Sequence, residues 1–192
     1  MRIAAEPSLY VTAALWAIWI VVWLAAAFGA KPTRWREPLG AAVLNRAPVL
    51  AGAVMLFAPQ FLPVALRHRF ISGSEAPVIG MVLVAAGLWF AIWARWHLGR
   101  NWSGTVTVKE HHALIVDGPY RWVRHPIYTG MLAALLGTAL VIGAPYGFIG
   151  TALILTGFVV KLRVEEARMR ETFPGDYERY SARTARLVPG IF

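Results

Sequence analysis

The segment Gly118–Gly130 concentrates polar side chains at the start of an apolar run. Pro126 suits the first position of a helix, because its missing N–H would have no helical partner there. His125 then precedes the helix, and Arg124 adds a full positive charge beside the free N–H groups of the first turn. Tyr128 contributes a hydroxyl and an aromatic face. These residue types at this spacing predict a site for a carboxylate, a phosphate or a polar cofactor.

Two adjacent glutamates, Glu165 and Glu166, follow the next apolar run. Only Ala144-Pro145 separates that run from the one that begins at Ile127, so the two runs should form a tight antiparallel hairpin. The hairpin would bring both glutamates close to the polar start of the preceding helix. Two interpretations stay open: a structural salt bridge that closes the hairpin, or part of a ligand site.

The composition is that of a membrane protein. Of the 192 residues, 58% are hydrophobic and only 15% are charged, whereas soluble domains are about half apolar and a quarter charged. A spanning helix needs roughly 20 apolar residues. The candidate spans are Leu9–Phe28, Ala47–Leu66, Pro77–Trp96, Ile127–Gly143 and Tyr146–Leu162.

We therefore predict an all-α integral membrane bundle of about five transmembrane helices, with a cytoplasmic loop and a helical C-terminal tail. Residues 1–192 should form one domain, in which about 1–96 supply the first three helices and 97–192 the loop, hairpin and tail. Small residues at helical spacing, such as Gly87 with Ala91, should let helices approach closely.

The C-terminal tail should continue the last spanning helix as a charged helix through about Lys161–Glu171, where oppositely charged residues lie four apart. Pro174-Gly175 should end this helix. A second short helix is predicted over Asp176–Thr184, with Tyr177 and Tyr180 on one face.

The net charge of +9 is explained by basic residues in short loops, which hold those loops in the cytoplasm, so we expect no nucleic-acid partner. This pattern predicts an outside N-terminus and a cytoplasmic C-terminus. The chain has no cysteine and no His-Glu-x-x-His motif, so no metal site is predicted.

Five separated blocks of the C-terminal half lie in a characteristic order: Gly118-Pro119-Tyr120, Arg124–Gly130, Glu165-Glu166, Phe173–Tyr180 and Arg186–Pro189. In these blocks the chain resembles the isoprenylcysteine carboxyl methyltransferase family and the related membrane phospholipid methyltransferases. The resemblance covers about His112 to Pro189, and the first two helices carry none of it.

The resemblance implies an integral membrane methyltransferase that uses S-adenosylmethionine and releases S-adenosylhomocysteine. By position it implies cofactor contacts at His112, Ala113, Leu114, Ile115, Tyr120, His125, Pro126, Ile127, Tyr128 and Glu166. Arg124 or His125, with the helix start, would suit the cofactor's carboxylate. A tyrosine at 120 or 128, or Trp122, could lie near its sulfonium.

The family's substrate-side arginine aligns with Leu162, which is flanked by Lys161 and Arg163. Arg163 is therefore the first candidate for the catalytic cation and Lys161 the second. The expected partners are the bilayer of a prokaryotic inner membrane and a lipophilic methyl acceptor.

O-methylation of a carboxylate is the first functional hypothesis, because an ionised carboxylate needs no strong base. N-methylation of a phospholipid amine is the alternative and would need a Glu or His base. A non-catalytic membrane transporter or sensor is the third hypothesis.

Overall fold

The structure, a computed structural model, describes residues 7–27, 33–36, 39–99, 107–109 and 114–190. Helices dominate this part of the chain. In chain order its elements are α1 (Pro7–Ala27), β1 (Thr33–Arg36), α2 (Leu39–Phe57), α3 (Val64–Arg67), α4 (Glu75–Leu98), β2 (Thr107–Lys109), α5 (Pro126–Ile142), α6 (Pro145–Thr172) and α7 (Asp176–Arg183). Short 3₁₀ turns lie at Pro59–Phe61 and Gly118–Arg121.

Three of the described helices, α1, α4 and α6, are long and apolar enough to cross a membrane by length and composition. Two shorter apolar helices, Arg46–Phe57 within α2 and Pro126–Ile142, accompany them. Each of the five predicted apolar segments therefore corresponds to one helix. The protein is an integral membrane helical bundle, which confirms the predicted fold class.

The second helix differs from its prediction at both ends. It was expected over Ala47–Leu66, but α2 begins at Leu39 and ends at Phe57. Pro59 and Pro63 explain the early end, because proline lacks an N–H and its ring clashes with the preceding turn of a helix. The chain between them forms a 3₁₀ turn, and α3 follows as a separate short helix.

Glycines set the closest helix contacts. A Cβ on Gly87 would lie 2.4 Å from the carbonyl oxygen of Gly130, and one on Gly80 would lie 2.6 Å from that of Gly137. These pairs run in opposite order along the chain, so α4 and α5 are antiparallel and cross with their backbones in contact. α2 approaches α6 in the same way at Gly52. The predicted role of small residues in helix packing is confirmed for α4.

The hairpin between α5 and α6 also forms as predicted. Gly143 ends α5 with a φ of 64°, a left-handed conformation that favours glycine. α6 begins two residues later at Pro145 and continues without a break into the charged segment, as far as Thr172. Gly175 separates it from α7, on which Tyr177 and Tyr180 are both buried, as the sequence indicated.

One short antiparallel ladder was not predicted. β1 and β2 pair with Thr33 opposite Lys109 and Arg36 opposite Thr107. The ladder joins the connection between α1 and α2 to the connection between α4 and α5. Both connections therefore lie on the same side of the bundle.

Candidate active site at the start of α5 and the charged end of α6

The segment before α5 is fixed to the end of α4. Gly118 has a φ of 54°, and a Cβ there would lie 2.6 Å from the His97 ring, so both the backbone conformation and the space require glycine. The adjacent Asp117 carboxylate lies 3.0 Å from His97 Nε2, and the hydrogen bond from His97 lowers the pKa of Asp117. Pro126 occupies the first turn of α5, as expected.

The hairpin brings Glu166 beside the start of α5, as predicted. This residue is fully buried, with 0% exposure. Arg124 Nε donates to Glu166 Oε1 at 3.1 Å, and Arg186 Nε donates to the same oxygen at 3.0 Å. Arg186 Nη2 donates to Oε2 at 2.8 Å, and Arg170 Nη2 lies 3.6 Å from Oε2.

His125 completes the shell around Glu166. Its Nε2 lies 3.2 Å from Glu166 Oε1. A carboxylate in this setting accepts hydrogen bonds only, so the hydrogen belongs on Nε2. We name this group the Glu166 network; its members are Arg124, His125, Glu166, Arg170 and Arg186. Its charged hydrogen bonds offset the cost of burying the carboxylate.

Glu165 belongs to a different and more accessible face. Its side chain is 21% exposed, and it accepts a hydrogen bond from the Tyr128 hydroxyl at 2.9 Å. Lys161 Nζ lies 3.8 Å from Glu165 Oε1 and 5.5 Å from the centre of the Tyr128 ring. His125 Nδ1 lies 3.7 Å from Glu165 Oε2. The half-buried group His125, Tyr128, Lys161 and Glu165 is called the Glu165 face below.

The two candidate cations occupy different surfaces of α6. Lys161 lies on the Glu165 face, whereas Arg163 is exposed and, at 100° per residue, points nearly opposite to Lys161. Leu162, at the position that aligns with the family's arginine, is fully buried. The structure thus brings the second candidate, rather than the first, to the candidate site.

Tyr120 is built into the scaffold. Its side chain is buried and its hydroxyl points to the Ala94 carbonyl of α4 at 3.4 Å. Its own carbonyl accepts a hydrogen bond from Tyr180 at 2.7 Å. Burial raises the pKa of both phenols, so neither is a base at neutral pH.

The other predicted cofactor residues are partly visible. Ile127 is half-buried in the first turn of α5, and Pro126 is buried beneath it. Leu114 and Ile115 are half-buried. His112 and Ala113 lie outside the described residues.

An open cleft of about 310 Å³ lies beside Leu114. The residues that line it are Leu114, Val116, Asp176, Arg179, Tyr180 and Arg183. Arg179 pairs with Asp176 across one turn of α7. The cleft therefore combines an apolar wall with a wall of mixed charge, and the sequence analysis did not predict that α7 contributes to it.

Arg186 is the main contribution that the sequence analysis missed. The block Arg186–Pro189 was recognised as part of the resemblance, but no role was given to it. An arginine at the start of that block, shortly after a predicted helix, was the available signal. Its partner could not be known, because twenty residues and a reversal of the chain separate it from Glu166.

The fold and this cluster define an integral membrane protein whose charged groups lie at the open end of a helical hairpin. A model of the family described as "Phospholipid methyltransferase" matches residues 76–176, which is just over half of the chain and contains α5, α6 and all of α4 but its first residue. The chain therefore belongs to the phospholipid methyltransferase family.

Curated relatives carry related names. A protein-S-isoprenylcysteine O-methyltransferase B of Arabidopsis thaliana is 27% identical over 68% of this chain and 66% of its own length. The protein-S-isoprenylcysteine O-methyltransferase of Saccharomyces cerevisiae is 31% identical over 59% of this chain and 49% of its own. A phosphatidyl-N-methylethanolamine N-methyltransferase of Neurospora crassa is 27% identical over 60% of this chain and 55% of its own.

The chain thus spans about half to two thirds of the length of these relatives. Among solved structures, the fold is similar to that of the eukaryotic intramembrane Ras methyltransferase, isoprenylcysteine carboxyl methyltransferase. The TM-score is 0.52 at 21% identity, over 79% of this chain and 51% of that one. This likeness supports the fold.

Proposed function

We propose that this protein is an S-adenosylmethionine-dependent methyltransferase that acts on the carboxylate of a lipophilic acceptor. The observation that carries the proposal is the Glu165 face. It places an imidazole, a tyrosine ring, a carboxylate and an ammonium together where the apolar part of α6 meets its charged end. A reaction between a polar cofactor and an acceptor in the bilayer needs such a boundary.

The residues on this face fit the chemistry of the cofactor. The first turn of α5 directs backbone N–H groups out of the helix end, which suits a carboxylate. Glu165 suits an ammonium or ribose hydroxyls. The Tyr128 ring suits a sulfonium, and the half-buried Leu114 and Ile115 suit an apolar adenine face.

When bound, S-adenosylmethionine supplies a methyl group on a positively charged sulfur; its transfer to a carboxylate oxygen leaves a neutral thioether and removes no proton. The role of the protein is therefore to orient the cofactor and the acceptor carboxylate and to exclude water. Tyr128 is held in place by its bond to Glu165 and by an edge contact with Phe158, whose ring centre lies 4.8 Å away.

We propose that Lys161, rather than Arg163, orients the acceptor carboxylate. Lys161 reaches the Glu165 face with its ammonium 3.8 Å from Glu165. Arg163 is exposed on another surface of the same helix. Glu166 is expected to act through His125, since its oxygens already contact His125 and Arg186.

N-methylation of a phospholipid amine is the second candidate, favoured by the Glu165 carboxylate, whose side chain is 21% exposed. A protonated amine must lose a proton before it can accept a methyl group, and Glu165 is placed to receive it. The name of the Neurospora relative is consistent with this chemistry. The third candidate function is that of a transporter or sensor, which would bind the cofactor without transferring a methyl group.

We propose that the charged end of α6 faces the cytoplasm of a prokaryote, with the N-terminus outside the inner membrane. The basic connections joined by β1 and β2, and the basic end of α6, support this orientation. Because the chain has no cysteine, labelling of Ala182→Cys and Gln60→Cys with a membrane-impermeant thiol reagent tests it. In intact cells the reagent should label position 60 and leave position 182 unlabelled. The reverse pattern would refute the orientation.

Cofactor binding is tested by titrating the purified protein in detergent with S-adenosylhomocysteine and following thermal unfolding. A ligand at 100 times its dissociation constant stabilises the folded state by about 2.7 kcal/mol. At roughly 2–4 °C per kcal/mol for a chain of this size, we expect a rise of about 5–11 °C. No rise at saturating ligand would refute the proposal.

The acceptor class is tested with S-adenosylmethionine labelled in its methyl group. Isoprenylcysteine analogues and phosphatidyl-N-methylethanolamine in vesicles are the two probes. Alkali releases labelled methanol from a methyl ester and leaves an N-methyl group intact. We expect label that alkali releases; alkali-stable label would favour the amine candidate, and cofactor binding without any transfer would favour the third hypothesis.

Lys161→Gln and Arg163→Gln form a matched pair for the acceptor role, since both remove one charge from α6. A hydrogen bond to a charged group contributes about 1.5–3 kcal/mol. We therefore expect Lys161→Gln to lower kcat/KM for a carboxylate acceptor about 10–100-fold and Arg163→Gln to change it less than about twofold. Equal effects of both variants would contradict the assignment of Lys161.

A further inference from the structure

The C-terminal strap, residues 184–187, holds the start of α5. Val123 and Ala185 form an isolated parallel bridge. Arg124 N donates to the Ala185 carbonyl at 2.8 Å, and His125 N donates to the Arg186 carbonyl at 3.2 Å. The His125 side chain makes no capping bond of its own at the helix start. The position of this turn therefore depends on a segment that arrives from the far end of the chain.

A side-chain contact extends the same attachment into α5. The Thr129 hydroxyl donates to the Leu187 carbonyl at 2.7 Å. Arg124 Nη1 donates to the carbonyls of Ser181 at 2.7 Å and Thr184 at 2.5 Å. The strap is thus bonded to both sides of His125 along the chain.

Arg186 links the strap to the Glu166 network. Its guanidinium contacts both carboxylate oxygens, with Nε at 3.0 Å from Oε1 and Nη2 at 2.8 Å from Oε2. Such two-point contact fixes the plane of a carboxylate as well as its charge. Arg170 reaches only Oε2, at 3.6 Å, and its side chain is 47% exposed. The two arginines therefore approach one carboxylate with very different geometry.

The orientation of the His125 ring depends on that carboxylate. Glu166 Oε1 lies 3.2 Å from Nε2, which turns the opposite edge of the ring toward Glu165. We infer that Arg186 is a positioning residue: it fixes Glu166, and through Glu166 it fixes the His125 ring on the Glu165 face. This inference deepens the proposed function and rests on it.

The test compares Arg186→Gln with Arg170→Gln in the full-length protein. Each variant removes one cation that contacts Glu166. We measure kcat and KM for methyl transfer, with kcat expressed per S-adenosylhomocysteine-binding site so that unfolded protein does not contribute. A displacement of about 1 Å at a reacting centre can cost about 10²-fold, so we expect kcat to fall about 10–100-fold in Arg186→Gln and less than about twofold in Arg170→Gln.

Arg186→Lys and Arg186→Ala keep the inference testable if Arg186→Gln folds poorly. Lysine restores the charge without the two-point geometry, so kcat should recover only in part. Guanidinium ions at millimolar concentration should partly restore kcat in Arg186→Ala. Equal kcat in the Arg186 and Arg170 variants, or full activity of Arg186→Lys, would overturn the inference.

The outcomes separate this inference from the proposed function. A wild-type protein that neither binds S-adenosylhomocysteine nor transfers a methyl group refutes both. An active wild type whose Arg186→Gln variant retains its kcat refutes only the positioning role.

Discussion

Replacement of Glu166 by glutamine tests whether the Glu166 network holds the tail to the hairpin. Glutamine keeps the size of the side chain but turns one acceptor oxygen into an NH₂ donor. That donor would face the N–H groups of Arg124 or Arg186, which now donate to the carboxylate. The arginines around Glu166 would also lose their countercharge.

The cost follows from the burial of this group. Removal of one partner of a buried, hydrogen-bonded charge pair costs about 3–5 kcal/mol. Chains of 150–250 residues lose roughly 2–4 °C of Tm per kcal/mol. We therefore expect Glu166→Gln to lower the Tm by about 6–20 °C in detergent.

Glu171→Gln is the matched control on the same helix. Glu171 pairs with Arg168 at the surface, where its side chain is 62% exposed. Exposed pairs contribute about 0–1 kcal/mol and are screened by salt, so its Tm should fall by less than about 4 °C. Both variants are followed by intrinsic tryptophan fluorescence and by circular dichroism. A Tm for Glu166→Gln within about 2 °C of the control would refute the structural role of the network.

Two further pairs of variants test the packing and the buried tyrosines. Gly87→Ala should lower the Tm by about 2–12 °C, because its Cβ would meet the Gly130 carbonyl at 2.4 Å and overpacking costs about 1–3 kcal/mol. Gly40→Ala, with no described atom within 4 Å of its Cβ, should hold or raise the Tm, and equal losses would contradict the contact. Burial raises the pKa of Tyr177 and Tyr180 above 10.0. Since the unfolded state then loses its protons first, stability should fall as pH rises above about 10. Phenylalanine at either position should make the Tm fall less steeply with rising pH. At neutral pH only Tyr180→Phe loses a hydrogen bond, which contributes about 1 kcal/mol. If the Tm of both variants fell with pH as steeply as that of the wild type, the raised pKa of these tyrosines would be refuted.

The general layout of the site could be predicted from the sequence because local signals determine it. Ala144-Pro145 marks the hairpin turn, and Pro126 marks the start of α5. Because the apolar runs on both sides of this turn are close to membrane length, the chain must cross back antiparallel to the preceding helix. Once the hairpin forms, Glu165 and Glu166 must lie near His125.

The end of α2 and the contribution of the strap were not predicted, for different reasons. The apolar run at 47–66 continues past Pro59 and Pro63, so hydropathy alone overestimates the length of the helix. The strap carries no periodic pattern, and two of its bonds to the residues just before α5 are made by backbone groups alone. Backbone hydrogen bonds leave no signature in residue type, so the attachment of the strap to the start of α5 could not be predicted.

Helix geometry explains why Glu165 and Glu166 have different environments. Adjacent residues on α6 point about 100° apart, so Glu165 and Glu166 cannot share one surface. Glu166 follows Leu162 by one turn, and both are fully buried. Glu165 follows Lys161 by one turn, and both reach the half-buried face with Tyr128.

The glutamate pair therefore gives two adjacent positions of α6 different roles, one structural and one at the accessible face. The buried carboxylate contacts basic side chains from the segment before α5, from α6 and from the C-terminal strap, and these contacts fix the elements around the site. The accessible carboxylate keeps an ammonium and a hydroxyl at the boundary between the apolar and charged parts of α6. Leu162 supplies no charge at the position that aligns with the family's arginine, and Lys161, one residue earlier on this face, is the cation that we propose for an anionic acceptor.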